Sequence, residues 1–145
     1  MANNNITGIP ELQRMLEQCA KVPVKAMTPA TKKGANIIRK SAKLSAPHET
    51  GAMEKSIKLK AEKRKTGKKV YQITFVGANL LRITKDGKRF FYPASQEYGF
   101  LTPSGKKITP RTAHFMQKAY RMNRRRVEQT VVDELSNSLR SLLGG

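Results

Sequence analysis

The sequence predicts an α+β fold in which N-terminal helices and a long C-terminal helix pack on a four-stranded antiparallel β-sheet. Three observations carry this. Apolar residues recur at helical spacing at both ends of the chain. The middle alternates apolar and polar residues with a period of two. The order helix, helix, hairpin, hairpin, helix contains no βαβ unit. At 145 residues the chain has the length of one domain, 1–145.

Asn3 to Thr7 is polar, and residues 1–8 read as a loose arm. Pro10 suits the first turn of a helix, where its missing N–H would be unpaired anyway. Leu12, Met15, Leu16 and Cys19 then form one apolar stripe, and Pro23 is expected to end or kink that helix. Thr28 and Pro29 read as the cap and first residue of a second helix. Its inner stripe is Ala30, Gly34, Ile37, Ile38, Ser41, Ala42 and Ser45, while Lys32, Lys33, Arg39, Lys40 and Lys43 lie opposite. The small residues Gly34, Ala35 and Ala42 point to close packing against a sheet or another helix. Pro47 stops the helix, and His48 to Gly51 is a turn.

Ile57, Leu59 and Ala61 alternate with Lys58, Lys60 and Glu62, and Tyr71, Ile73 and Phe75 with Gln72, Thr74 and Val76. These are two strands of a hairpin whose tip is Lys63 to Lys69. Leu81 to Ile83 and Arg89 to Tyr92 flank Asp86-Gly87, a pair read as a two-residue turn with positive φ, giving a second hairpin. Residues 100–111 keep no period and read as a long loop, of a length that is commonly functional. Thr112 is placed to cap the last helix, whose stripe is Phe115, Ala119, Met122, Val127, Val131, Leu135, Leu139 and Leu142.

The chain carries 29 Lys and Arg against 10 Asp and Glu, a formal net charge of +19. Such an excess repels itself unless a polyanion or an acidic partner offsets it. Three groups concentrate it. Lys58, Lys60, Lys63, Arg64, Lys65, Lys68 and Lys69 stand with Glu62 as the only acid of that stretch. Arg121, Arg124, Arg125 and Arg126 form the second group, and Lys106, Lys107 and Arg111 the third. The aromatic residues show no base-stacking pattern. Contact with DNA would therefore be to phosphate, independent of sequence and sensitive to salt.

Catalytic signals are absent from the sequence. His48 and His114 are its only histidines, there is no phosphate-binding glycine loop, and no carboxylates pair at useful spacing. Cys19 is the single cysteine, which excludes an internal disulfide and cysteine-rich zinc or iron–sulfur sites. No enzyme activity, cofactor or metal is expected. Charges interrupt every apolar run, so no membrane span is expected, and the N-terminus lacks a secretory pattern. The expectation is a chain made in a reducing cytoplasm.

The run Ala46-Pro47-x-x-Thr50-Gly51-x-Met53-x-x-Ser56-Ile57 resembles a signature of tailed-phage virion-morphogenesis proteins, the head–tail joining or tail-completion proteins of the neck. Tyr92 with Glu97-Tyr98-Gly99, and Ala113-His114-Phe115-Met116 with Ala119, resemble two further motifs of that family in the same order. Met53 stands where leucine is usual, Tyr98 for phenylalanine and Ala113 for proline. The resemblance spans roughly Leu12 to Leu142. It implies a structural protein of the virion neck, acting as an oligomeric ring of six copies, or twelve, around the DNA channel. It implies neck, connector or tail-terminator proteins as partners, with packaged DNA touched through phosphate. Glu97, a rare acid at an expected strand end, is read with Tyr98 as a subunit contact reaching Lys106 or Arg111 of the next copy. The competing reading is a basic protein of nucleoid or ribosome type that binds nucleic acid without sequence preference.

Overall fold

The computed structural model describes residues 9–49, 51–63, 70–77 and 80–143, with side chains from Val24 to Ser141 within those spans. The expected arm at 1–8, the hairpin tip at 64–69 and the apolar stripe Leu12 to Cys19 lie outside the described residues or side chains.

Helix α1 runs Ile9–Ser45 without a break. The expected division into two helices at Pro23 and Thr28 is therefore corrected. A proline inside a helix removes one amide donor and crowds the carbonyl four residues earlier, at about 3 kcal/mol or more. Around Pro29, packing overrides that local preference: Ala26, Ala30, Gly34, Ala42 and Ala46 are all buried on one stripe that passes straight through it. Thr28 is not a cap. Its hydroxyl donates back to the Val24 carbonyl at 3.3 Å, as a threonine inside a helix does.

Helix α4, Phe115–Leu143, lies antiparallel on α1. The direction follows from the pairs: Ser41 meets Asn123 (Nδ2 to Oγ, 2.9 Å), Gly34 meets Val127 and Val131, and Lys33 pairs with Glu134. The absence of a side chain at Gly34 sets the approach. A Cβ there would stand 2.9 Å from Val131 Cγ2 and 3.0 Å from Val127 Cγ1. The close packing expected of the small residues is thus made between two helices.

Between these helices come α2 (Ala52–Ser56), β1 (Ile57–Glu62), β2 (Val70–Phe75), β3 (Leu81–Ile83), β4 (Arg89–Phe91), α3 (Tyr92–Tyr98), β5 (Phe100–Leu101) and β6 (Lys107–Ile108). The strands form three separate two-stranded antiparallel ladders, β1–β2, β3–β4 and β5–β6, in place of the expected four-stranded sheet. The register of the first follows the alternation: Ile57 faces Phe75, Leu59 faces Ile73 and Ala61 faces Tyr71. One face of this ribbon packs on α1, while β3 and β4, three residues each, stay largely exposed.

The expected long loop at 100–111 holds the β5–β6 hairpin, and its turn repeats that of β3–β4. In both, a threonine N–H donates to a lysine carbonyl four residues on: Thr84 to Lys88 and Thr102 to Lys106, each 2.9 Å. The lysine N–H returns to the threonine hydroxyl at 3.1 Å in each. Gly87 (φ 75) and Gly105 (φ 78) supply the left-handed residue. Each turn needs one positive-φ residue, so Asp86-Gly87 is not the two-residue turn expected.

The core is Ala42, Ala46, Met53, Ile57, Phe115 and Ala119, flanked by Ile73, Phe75, Tyr92 and Met116. The Phe75 ring meets Phe115 and Phe91 edge to face at 6.2 and 6.1 Å.

Candidate interaction surfaces

Thr50 of the signature lies outside the described residues, and the signature residues around it are structural. Ala46, Met53 and Ile57 are core. Gly51 (φ 65) starts α2, and its carbonyl accepts the Lys55 N–H at 3.1 Å. The Ser56 hydroxyl, buried, donates to the Met53 carbonyl at 2.6 Å, and the Ser56 carbonyl accepts the Val76 N–H at 2.9 Å. This segment carries the chain from α1 into the β1–β2 ribbon.

The Glu97 segment differs from its expected place. Glu97 sits in α3, not at a strand end, and is 8% exposed. Its carboxylate accepts the N–H of Met116 at 3.0 Å and of Gln117 at 3.2 Å, two donors of the first turn of α4 that have no partner within the helix. Its carbonyl takes the His114 N–H at 2.9 Å. The rare acid is held inside its own chain as the cap of α4, which corrects its expected place at a strand end. Thr112, the expected cap, has its hydroxyl 3.3 Å from Gln96 Oε1 instead. His114 is held at φ 62 with its ring 6.4 Å from that of Tyr98. Gly99 (φ 78) ends α3 where β6 crosses: a Cβ there would lie 2.5 Å from the Ile108 carbonyl oxygen. Tyr98, Lys106 and Arg111 are exposed.

Lys58, Lys60 and Lys63 are exposed on or just after β1; Arg64, Lys65, Lys68 and Lys69 lie outside the described residues. Arg121, Arg124, Arg125 and Arg126 are all exposed on α4 but do not form one patch. With 3.6 residues per turn, Arg121, Arg124 and Arg125 share the outer face, whereas Arg126 points about 140° from Arg121, toward α1. Arg124 pairs with Glu128 at 2.9 Å. Arg126 instead lines a groove between α1 and α4 together with Lys33, Asn36, Ile37, Arg39, Lys40 and Thr130.

A second cleft, of about 500 Å³, opens between the two small hairpins, α3 and Glu49. Its titratable groups are Glu49, Arg82 and Tyr92. The Arg82 guanidinium lies 4.3 Å from the centre of the Tyr92 ring, and the Tyr92 hydroxyl donates to Glu49 at 3.4 Å. Burial, and next the Glu49 charge, raise the Tyr92 pKa above its usual value of 10.0. Neither histidine lines these two clefts: His48 is exposed with Nδ1 3.5 Å from Glu54 Oε2. Among the described residues no group of three or more His, Cys, Asp and Glu could hold a metal ion, and no helix is long and apolar enough to cross a membrane.

A family model described as "Bacteriophage HK97-gp10, putative tail-component" matches residues 10–77, that is 68 of 145. The match contains α1 from Pro10 on, the Ala46 to Ile57 signature and the β1–β2 ribbon; the Glu97 and Phe115 motifs lie beyond it. No curated protein and no solved structure matches the chain.

Proposed function

Taking the chain, on that match, as one of the tailed-phage head–tail or tail-completion proteins, we propose that it is a structural virion protein that joins the tail to the head. It works by binding and not by catalysis. It assembles as a ring around the DNA channel, in six copies with twelve as the alternative, between neighbouring neck, connector or tail-terminator proteins. The observation that carries this reading is the family match over the segment that holds the signature. The charge supports the channel: a surplus of +19 is offset when basic side chains face packaged DNA or an acidic neighbouring ring.

The exposed Lys58, Lys60 and Lys63, with Arg121, Arg124 and Arg125 on the outer face of α4, are proposed for that anionic surface, as are Arg64, Lys65, Lys68 and Lys69. Tyr98, Lys106 and Arg111 remain the proposed contacts between copies. Native mass spectrometry of the purified protein, alone and with tail-tube protein, tests the reading. A closed ring that adds to the tube supports it. A chain that stays monomeric with the tube and binds duplex DNA as a monomer overturns it in favour of a nucleoid-type protein.

A further inference from the structure

The groove between α1 and α4 gathers four cations from two helices: Lys33, Arg39 and Lys40 from α1 and Arg126 from α4. On α1 the spacing puts Lys33 and Lys40 two turns apart along one edge, with Asn36 between them. Arg126 and Thr130, one turn apart, form the other edge. The charge is only partly answered. Lys33 pairs with Glu134, while Arg39, Lys40 and Arg126 have no carboxylate within ion-pairing distance among the described residues. Like charges held side by side cost free energy that a bound anion removes.

Arg39 adds a second, independent sign. Its Nε is buried and has no hydrogen-bond partner among the described residues. Buried polar side-chain atoms are nearly always bonded, and an unmet donor costs about 1–3 kcal/mol. Lys40 and Arg126 stand exposed beside it, and the polar Asn36 and Thr130 complete the lining. The guanidinium is planar and matches a phosphate oxygen pair, and the two lysines add point charges along the same edge.

We propose that this groove is a phosphate-binding track for the DNA backbone, with Arg39 as its recessed anchor and Lys40 and Arg126 as its rims. The choice of DNA rests on the neck reading given above; the groove itself rests on the charges and the unmet Arg39 donor. The site is distinct from the outer arginine face of α4, because Arg126 is turned away from it.

The test is fluorescence anisotropy of a labelled 20-base-pair duplex with the full-length protein over a range of KCl concentrations. The double variant Lys40→Gln/Arg126→Gln changes two exposed side chains, so the fold is kept. A control, Lys32→Gln/Lys118→Gln, removes the same charge from exposed positions outside the groove lining. The groove variant is expected to bind at least tenfold more weakly at low salt, with the log–log salt slope reduced by about 2. The control should change both far less. Equal losses in the two variants would mean that net charge alone binds DNA, and would overturn the site. Binding of polyglutamate in place of the duplex, with the same dependence on Lys40 and Arg126, would overturn DNA as the ligand in favour of an acidic protein. Native mass spectrometry of the same variants separates the outcomes. A groove failure leaves the ring intact, whereas an absent ring in wild type removes the neck reading without touching the groove.

Discussion

Glu97 holds Met116 in place: the carboxylate of the short helix α3 accepts the Met116 N–H at 3.0 Å and so fixes where the long helix α4 begins. A carboxylate at a helix N-terminus gains both from the unpaired donors and from the helix dipole. Here the acid comes from a different element, so it also ties α3 to the α4 start, beside the Phe115 that fills the core.

Glu97→Gln should therefore destabilise the monomer by about 1–2 kcal/mol, because the bond kept by the amide oxygen loses its charge and the amide NH2 leaves the other N–H facing a donor. Glu97→Lys places a cation against the helix's positive end and should cost more than about 3 kcal/mol. Urea unfolding followed by circular dichroism measures both. An unchanged midpoint for Glu97→Lys would show that the cap carries no weight.

His114, just before α4, holds φ 62, a conformation that costs a non-glycine residue of order 1 kcal/mol. His114→Gly should raise stability by about 0.5–1 kcal/mol. His114→Ala keeps the strain, loses the ring contact with Tyr98 and should not stabilise. Equal effects of the two substitutions in thermal unfolding would contradict the backbone argument.

Gly99 and Gly34 both sit at close approaches, but they should tolerate alanine unequally. Gly99→Ala meets the Ile108 carbonyl oxygen, a backbone atom, at a positive φ, and should cost about 2–4 kcal/mol. Gly34→Ala presses on the Val131 and Val127 methyls and meets backbone only at an ordinary 3.9 Å, and alanine gains about 1 kcal/mol of helix propensity. Its net effect should be small, and Val131→Ala should make it stabilising. A double-mutant cycle that shows no coupling between 34 and 131 would place the helix contact elsewhere.

Much of this architecture can be read in the sequence, and the failures have identifiable causes. The alternation at Ile57 to Ala61 and Tyr71 to Phe75 gives the register of β1–β2 because one face of the ribbon is buried. Pro29 misleads because the alanine and glycine stripe on α1 packs across it. The β5–β6 turn, Thr102-Pro103-Ser104-Gly105, has proline and glycine where such a turn wants them, but strands of two residues leave no period to find. Glu97 is missed as a cap because its partners are 19 and 20 residues away. The α1/α4 groove is hidden for the same reason: Arg39 and Arg126 look like separate charged faces until the helices are laid antiparallel.

Tyr92 gives a prediction in alkaline solution. Its neutral form is favoured in the folded chain, by burial and then by the Glu49 charge. The folded pKa is raised above the unfolded value, so the associated stability is fully present below pH 10.0 and is lost as the pH rises through the folded pKa. Glu49→Gln should bring the Tyr92 pKa down toward 10.0 but not to it, because burial remains. Ultraviolet titration of phenolate absorbance, with Tyr92→Phe subtracted to isolate this ring from the other tyrosines, reads the shift. A Tyr92 that titrates identically with and without Glu49 would contradict the contact.

The last prediction concerns what the twin hairpins face. A two-stranded ribbon is marginal in water by itself, and β3–β4 and β5–β6 have strands of only three and two residues. Both nevertheless carry apolar side chains outward: Ile83 is 66% exposed and Leu101 70% exposed. Tyr98, 67% exposed, stands just before β5, and Lys106 closes its turn. Apolar groups repeated on two adjacent hairpins suit a surface that is covered in the assembled particle, since burying them returns about 25 cal/mol for each Å² removed from water. Ile83→Lys/Leu101→Lys should leave the monomer folded, because neither side chain belongs to the core, and, on the proposed ring reading, should shift the native mass from ring to monomer. Tyr98→Ala should weaken the ring without abolishing it. If the double variant still forms the ring but no longer adds to tail-tube protein, the hairpins face the tube and the copies meet elsewhere. If it forms the ring and adds to the tube as wild type does, the hairpins face solvent and the argument from their exposed side chains fails.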